Sequence, residues 1–189
     1  KFSGQGKITN KNITNNGKSV IISFVGNFKD GLKEGFGKEI TNDNQTFEGI
    51  FKNNIREGKG KLVTKNSIYE GNFKNGKFHG EGKESFNNGN YLEGFFENGL
   101  LNGRGELYKD ENLLTGYFRN GKLNGYGKIK YSNGKVIEGI FKNNKISGNY
   151  KILRHGKSNE KSKSNKRRKI IKKPEDFDKE LFLNFVNNQ

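Results

Sequence analysis

Ile68-Tyr69-Glu70-Gly71-Asn72-Phe73-Lys74-Asn75-Gly76-Lys77-Phe78-His79-Gly80-Glu81-Gly82 decides how this chain folds. It sets a glycine two residues before a phenylalanine, an Asn-Gly pair two residues after it, and a Gly-x-Gly at the close. The glycine and phenylalanine recur as Gly26/Phe28, Gly49/Phe51, Gly94/Phe96, Gly116/Phe118 and Gly139/Phe141, in steps of 23, 22, 23, 22 and 23 residues. A period in this range marks one supersecondary unit stacked into an array. Long repeated surfaces of that kind serve binding more readily than catalysis.

Eleven residues beyond each of these glycines comes another, at Gly37, Gly60, Gly82, Gly105 and Gly127, with Tyr150 in the last copy. Two places before each stands Gly35, Gly58, Gly80, Gly103, Gly125 or Gly148. The inner spacing is constant while the step to the next copy varies by one. The first half is therefore a rigid hairpin, and the slack belongs to the connecting turn.

The hairpin turns are Asp30-Gly31, Asn53-Asn54, Asn75-Gly76, Asn98-Gly99, Asn120-Gly121 and Asn143-Asn144. Asn-Gly and Asp-Gly suit a type I′ turn, which needs positive φ at both central residues and matches strand twist. Asparagine is the next best residue after glycine for that region. Helix is excluded, because each interior glycine would cost about 1 kcal/mol relative to alanine. A two-residue loop at Asn75-Gly76 pairs Phe73 with Phe78, Gly71 with Gly80 and Tyr69 with Gly82. Side chains alternate along a strand, so one face carries aromatic rings beside bare glycine backbone.

The second connections also read as turns, at Asn42-Asp43-Asn44, Lys65-Asn66-Ser67, Asn88-Gly89, Asp110-Glu111-Asn112 and Asn133-Gly134. Short antiparallel links throughout leave no room for a crossover helix. The expected fold is all-β: an elongated single antiparallel meander of about a dozen strands, roughly 60 Å long at about 4.8 Å per strand. The leucine-rich solenoid of similar period is excluded, since its leucine and asparagine ladder is missing.

This pattern resembles the MORN repeat family, whose unit reads roughly Tyr-Glu-Gly-x-Trp/Phe-x-Asn-Gly followed by Gly-x-Gly. The stretch from Ile68 to Gly82 is the closest copy; Phe47 keeps the leading aromatic, and Phe24, Leu92, Leu114 and Ile137 are shifted or aliphatic versions. The resemblance covers residues 21–150 in six repeats. Residues 1–20 hold Gly4-Gln5-Gly6, the second half of a degenerate earlier repeat, and then a longer loop around Lys11 to Lys18. The resemblance implies intracellular organising work in the cytoplasm, at cytoskeletal or ciliary structures or at membrane contacts, or attachment to a catalytic module elsewhere. It fixes architecture better than chemistry.

Composition alone leans toward disorder, with 29% hydrophobic and 30% charged residues. The repeat overrules it, because a thin sheet with one aromatic face needs few apolar side chains, and 16 Phe with 7 Tyr supply them. No cysteine is present, which excludes disulfides and thiolate chemistry. No apolar run approaches the ~18 residues of a membrane helix. No leader is visible, and Lys1 in place of methionine leaves room for an upstream segment, an enzyme module included.

The net charge is +16, unevenly spread. Residues 151–173 read as a basic linker, with Lys166, Arg167, Arg168, Lys169, Lys172 and Lys173 as the candidate surface for anionic partners. Residues 174–189 read as an amphipathic helix. Pro174 fits its first position and Glu175, Asp176 and Asp178 its first turn. Phe177, Leu181 and Phe185 line its candidate contact stripe, widened by Phe182 and Val186.

Catalytic and cofactor chemistry is not expected. Glu48, Glu70, Glu93 and Glu138 form a ladder on the face opposite the aromatics, best read as partners of lysines such as Lys61 and Lys83. Equivalent strands lie about 9.6 Å apart, too far for two of these carboxylates to share one cation. His79 and His155 lie in no ligand or acid–nucleophile pattern. The Gly-x-Gly copies, read as lying between strands, precede no helix and so make no phosphate loop.

Binding is the remaining class. The candidate docking face is aromatic, at Phe28, Phe51, Tyr69, Phe73, Phe96, Phe118 and Phe141. A protein partner, the terminal helix or a second copy in a homodimer would cover it, since a long exposed aromatic face invites association. Single-stranded nucleic acid stacking on the rings is the alternative. The basic run suits anionic phospholipid, nucleic acid or an acidic protein surface, or is a solvated linker. The expected function is a non-catalytic scaffold. A nucleic-acid or ribonucleoprotein component, and a repeat module detached from an enzyme, are the alternatives.

Overall fold

The computed structural model describes residues 1–9, 21–154 and 168–172. The strands are β1 (Gly4–Thr9), β2 (Ile21–Lys29), β3 (Leu32–Thr41), β4 (Thr46–Lys52) and β5 (Ile55–Val63). Next come β6 (Ser67–Lys74), β7 (Lys77–Phe86), β8 (Tyr91–Glu97), β9 (Leu100–Lys109) and β10 (Asn112–Arg119). The last are β11 (Lys122–Lys130), β12 (Val136–Lys142), β13 (Lys145–Ile146), β14 (Tyr150–Arg154) and β15 (Arg168–Lys172). They form one antiparallel meander in chain order, with the two-residue β13 paired to β12 off the main path. No helix occurs among the described residues, and the helix expected over 174–189 lies outside them.

The six hairpin turns have the expected geometry. Asn75 and Gly76 have φ of 51° and 75°, and all the other turn pairs are positive at both positions. Where asparagine replaces glycine, its side chain gains a task. Asn54 Oδ1 accepts the Lys33 N–H at 2.8 Å, and Asn144 Oδ1 accepts that of Leu123 at 2.7 Å. Each turn is also latched to the previous repeat through its backbone: Gly76 N–H donates to the Arg56 carbonyl and Asn54 N–H to that of Lys33, both at 3.0 Å.

The register beyond the turn differs from the two-residue extrapolation. Phe73 does face Phe78, but Gly71 faces Gly82 and Tyr69 faces Glu84. A bulge between Gly71 and Phe73 takes up the difference, with Gly80 at φ 66°. The Gly-x-Gly pairs therefore lie inside strands, not between them. The first glycine of each pair serves the bulge, where positive φ is needed.

The second glycine serves close packing. Gly26, Gly37, Gly49, Gly60, Gly71 and Gly82 face one another in an unbroken row from β2 to β7. A Cβ on Gly71 would lie 2.6 Å from the Gly82 Cα and from the Tyr69 hydroxyl. The Tyr69 ring lies over this glycine pair, as the sequence led us to expect, but reaches it diagonally.

The chain forms two compact units, Lys1–Gly89 with Glu93–Leu100, and Asn90–Leu92 with Leu101–Gln189. The first holds a row of edge-to-face rings. Phe24 meets Phe51 at 5.1 Å between centroids, Phe47 meets Phe73 at 5.0 Å, and Tyr69 meets Phe96 at 5.5 Å. Each contact joins one repeat to the next. Buried charge sits among these rings: Glu39 is bonded by both Lys33 and Arg56, and the two cations lie over Phe24 and Phe47. In the second unit the core is Leu114, Phe118, Leu123, Ile129, Ile137, Phe141 and Tyr150.

Part of the stretch read as linker is strand. β15 pairs with β14 through Tyr150↔Lys172, Ile152↔Ile170 and Arg154↔Arg168. The β-branched pair Ile170-Ile171, set within the charge run, is the signal that was available.

Candidate docking faces

The strands sort their side chains to two faces, an inner one carrying the aromatic row and an outer one. Phe28, Phe51, Tyr69, Phe73, Phe96, Phe118 and Phe141 are all at most 8% exposed. The expected aromatic docking face is therefore a core. In the first unit edge-to-face packing between successive repeats contributes to this burial, a consequence that strand alternation alone does not reveal.

The outer face carries the glutamate ladder. Lys38 meets Glu48 at 3.7 Å, Lys61 meets Glu70 at 2.5 Å, Lys83 meets Glu93 at 2.7 Å and Lys128 meets Glu138 at 3.0 Å. Every ladder glutamate is engaged by a lysine on the neighbouring strand. A hydrogen bond from Lys128 holds the Glu138 carboxyl below the usual carboxylate range. These are exposed cross-strand pairs, each contributing well under about 1 kcal/mol. Among the described residues no cluster of His, Asp or Glu is arranged to hold a metal. His79 lies on β7 with its ring 6.4 Å from that of Phe95, and His155 is outside the described residues.

Beside the ladder, across the row of glycines, runs a second outer row. In the first unit it includes Phe36 and Ile50, which face each other across β3 and β4. Phe36 is 54% exposed and Ile50 38%. An open groove of about 540 Å³ runs here, lined by Phe36, Glu48, Lys59, Lys61, Asn72 and Glu81. In the second unit the corresponding repeat positions are Tyr117, Tyr126 and Ile140, each close to half exposed. These residues were missed by the sequence reading. They occupy the variable positions inside Gly-x-Gly and Gly-x-Phe, and alternation places them opposite the phenylalanines.

Of the basic candidates, Arg168, Lys169 and Lys172 stand in β15, while Lys166, Arg167 and Lys173 lie outside the described residues. Phe177, Leu181 and Phe185 also lie outside them. No helix among the described residues is long and apolar enough to cross a membrane.

A family model of the MORN repeat matches the chain five times, over residues 24–46, 47–67, 69–91, 93–112 and 115–136. These matches cover more than half of the sequence, and the chain belongs to the MORN repeat family. The sixth copy, at Gly139 and Phe141, lies past the matched residues yet keeps its turn, with φ of 49° and 65° at Asn143 and Asn144. Comparison with curated proteins finds no match. MORN repeats are generally associated with scaffolds that bind proteins or membranes, and are typically non-catalytic.

Proposed function

We propose that this protein is a non-catalytic scaffold that docks a protein partner on the outer face of its first unit. A secondary contact to anionic membrane headgroups runs through Lys166, Arg167, Arg168, Lys169, Lys172 and Lys173. The observation that carries the reading is the Phe36–Ile50 pair, exposed in register beside an open groove while the inner aromatics are sealed. Exposed apolar side chains rimmed by polar ones suit a protein interface. Lys59, Lys61, Glu48 and Glu81 supply that rim. The family suggests cytoplasmic work at cytoskeletal, ciliary or membrane-peripheral structures.

The test is capture from native lysate, with nuclease and salt controls, by the native chain and by Phe36→Asp/Ile50→Asp. Loss of a nuclease-resistant partner with an unchanged melting temperature supports the docking face. Retention of every captured protein refutes it. In parallel, Lys166, Arg167, Arg168 and Lys169 to alanine removes binding to anionic vesicles and leaves the protein partner attached. Exposed charges are screened over about 8 Å at physiological ionic strength, so the vesicle contact fades with salt.

A further inference from the structure

We propose that the outer face of the second unit binds single-stranded nucleic acid, with bases stacked on Tyr117 and Tyr126 and phosphates held by Arg119, Lys122, Lys142 and Lys145. Tyr117 stands on β10 and Tyr126 on β11, the adjacent strand, and the two are 55% and 53% exposed. Tyr126 faces Ile140 on β12, which extends the apolar strip by one strand. Neighbouring strands lie about 4.8 Å apart, so the rings form a platform on which successive bases can stack.

Tyr117 has room beside a glycine, and Tyr126 is held by a hydrogen bond. A Cβ on Gly125 would lie 3.3 Å from the Tyr117 Cβ, so the glycine leaves room for that side chain to lie close to the sheet. The Tyr126 hydroxyl donates to Glu138 Oε2 at 3.3 Å, and Glu138 is itself held by Lys128 at 3.0 Å. A ring fixed before binding loses little freedom when a base arrives.

The charge lies where the backbone of such a ligand would run. Arg119 faces Lys122 across β10 and β11, and Lys142 faces Lys145 across β12 and β13. The four side chains belong to exposed residues beside the hairpin turns, on the same outer face as the tyrosines by strand alternation. Among the described residues no ion pair engages them, whereas Lys38, Lys61, Lys83 and Lys128 of the ladder are each paired with a glutamate. Arg104, opposite Tyr117, adds a fifth cation on the other side of the ring. A lipid surface would use the same charge and also receives tyrosines at its interface, so competition with vesicles is part of the test. Stacking makes the site tolerant of sequence, since every base has a π-face.

The experiment uses the full chain and a fluorescein-labelled single-stranded oligouridylate of about 12 nucleotides, within the span a stacking platform of this kind engages, read by anisotropy over a salt series. Tyr117→Ala and Tyr126→Ala should each weaken binding about tenfold, while Tyr117→Phe/Tyr126→Phe stays within about twofold of the native chain. Arg119→Ala/Lys142→Ala should lower the salt slope by about 0.7 for each phosphate that is no longer neutralised. Melting curves check that each variant is folded, and Arg119→Glu/Lys142→Glu gives a second loss of binding that spares the rings. Equal affinity of the native chain and the double tyrosine-to-alanine variant overturns the proposal. So does displacement of the RNA by phosphatidylserine vesicles whose own binding depends on the two tyrosines, which would assign the face to a membrane.

Discussion

Phe47 stands edge-on to Phe73, with ring centroids 5.0 Å apart and planes at 82°, although the two residues belong to successive repeats. The same relation joins Phe24 to Phe51 and Tyr69 to Phe96. Each repeat thus completes the cover of its neighbour's ring, and a hairpin taken alone would leave its own exposed. In a quasi-one-dimensional array, stability resides largely in such interfaces.

Removing one ring should therefore be felt in two repeats. Phe47→Ala should destabilise the first unit by about 3–5 kcal/mol, the range for a buried phenylalanine. A double-mutant cycle of Phe47→Ala with Phe73→Ala should show a coupling of about 0.5–1.5 kcal/mol. Urea unfolding followed by circular dichroism measures both. Strictly additive losses would mean that the rings do not interlock.

Two glycines in the same hairpin, Gly76 and Gly82, should respond differently to alanine. At Gly76 the turn holds φ at 75° in open space, so Gly76→Ala strains the backbone alone, by about 1 kcal/mol. At Gly82, which faces Gly71, a Cβ would press into the Tyr69 ring. Gly82→Ala must displace that ring and should cost several times as much, as overpacking does. Equal losses in paired urea melts would contradict the packing role of the glycine row.

Lys109 is a buried cation, 6% exposed, whose Nζ has no hydrogen-bond partner among the described residues. Replacing an unpaired buried charge by an apolar side chain of similar length commonly stabilises. Lys109→Met should raise the stability of the second unit by about 1–3 kcal/mol, read from the denaturation midpoint. A lower midpoint would mean that the ammonium is engaged.

Burial pushes the Tyr69 hydroxyl up to about 12 from its ordinary 10.0, while its proton is donated to the Asn72 carbonyl at 3.0 Å. The folded state therefore keeps this proton at pH values where the unfolded chain has lost it. The contribution to stability is fully present below pH 10 and disappears as pH rises toward 12. Ultraviolet titration should show a late-ionising step, and Tyr69→Phe should diminish it by one tyrosine. A late step undiminished in Tyr69→Phe would refute the assignment.

The repeat, the I′ turns and the ladder were legible because each is local: a two-residue turn or an alternation needs only neighbouring residues to be read. The register past Gly71 was not, because a bulge turns on backbone φ at Gly80, and nothing in the letters separates that glycine from the packing glycine at 82. The role of Asn54 was half legible. Its tolerance of positive φ follows from its type, but its bond to Lys33, 21 residues away, depends on how repeats stack. That the aromatic face is a buried core was not legible for the same reason. Alternation separates Phe36 from Phe51 correctly, yet whether a row of rings is sealed depends on contacts between repeats that no single repeat contains.

The central claim is that the inner rings are core and the outer row is where a partner meets the first unit. Hydroxyl-radical footprinting of the chain, free and partner-bound, tests it residue by residue. Phe36 and Ile50 should react in the free chain and become protected on binding, while Phe51 and Phe73 stay unreactive in both states. Reactive Phe51 and Phe73 in the free chain, protected only when the partner binds, would contradict the account and return the docking site to the inner face.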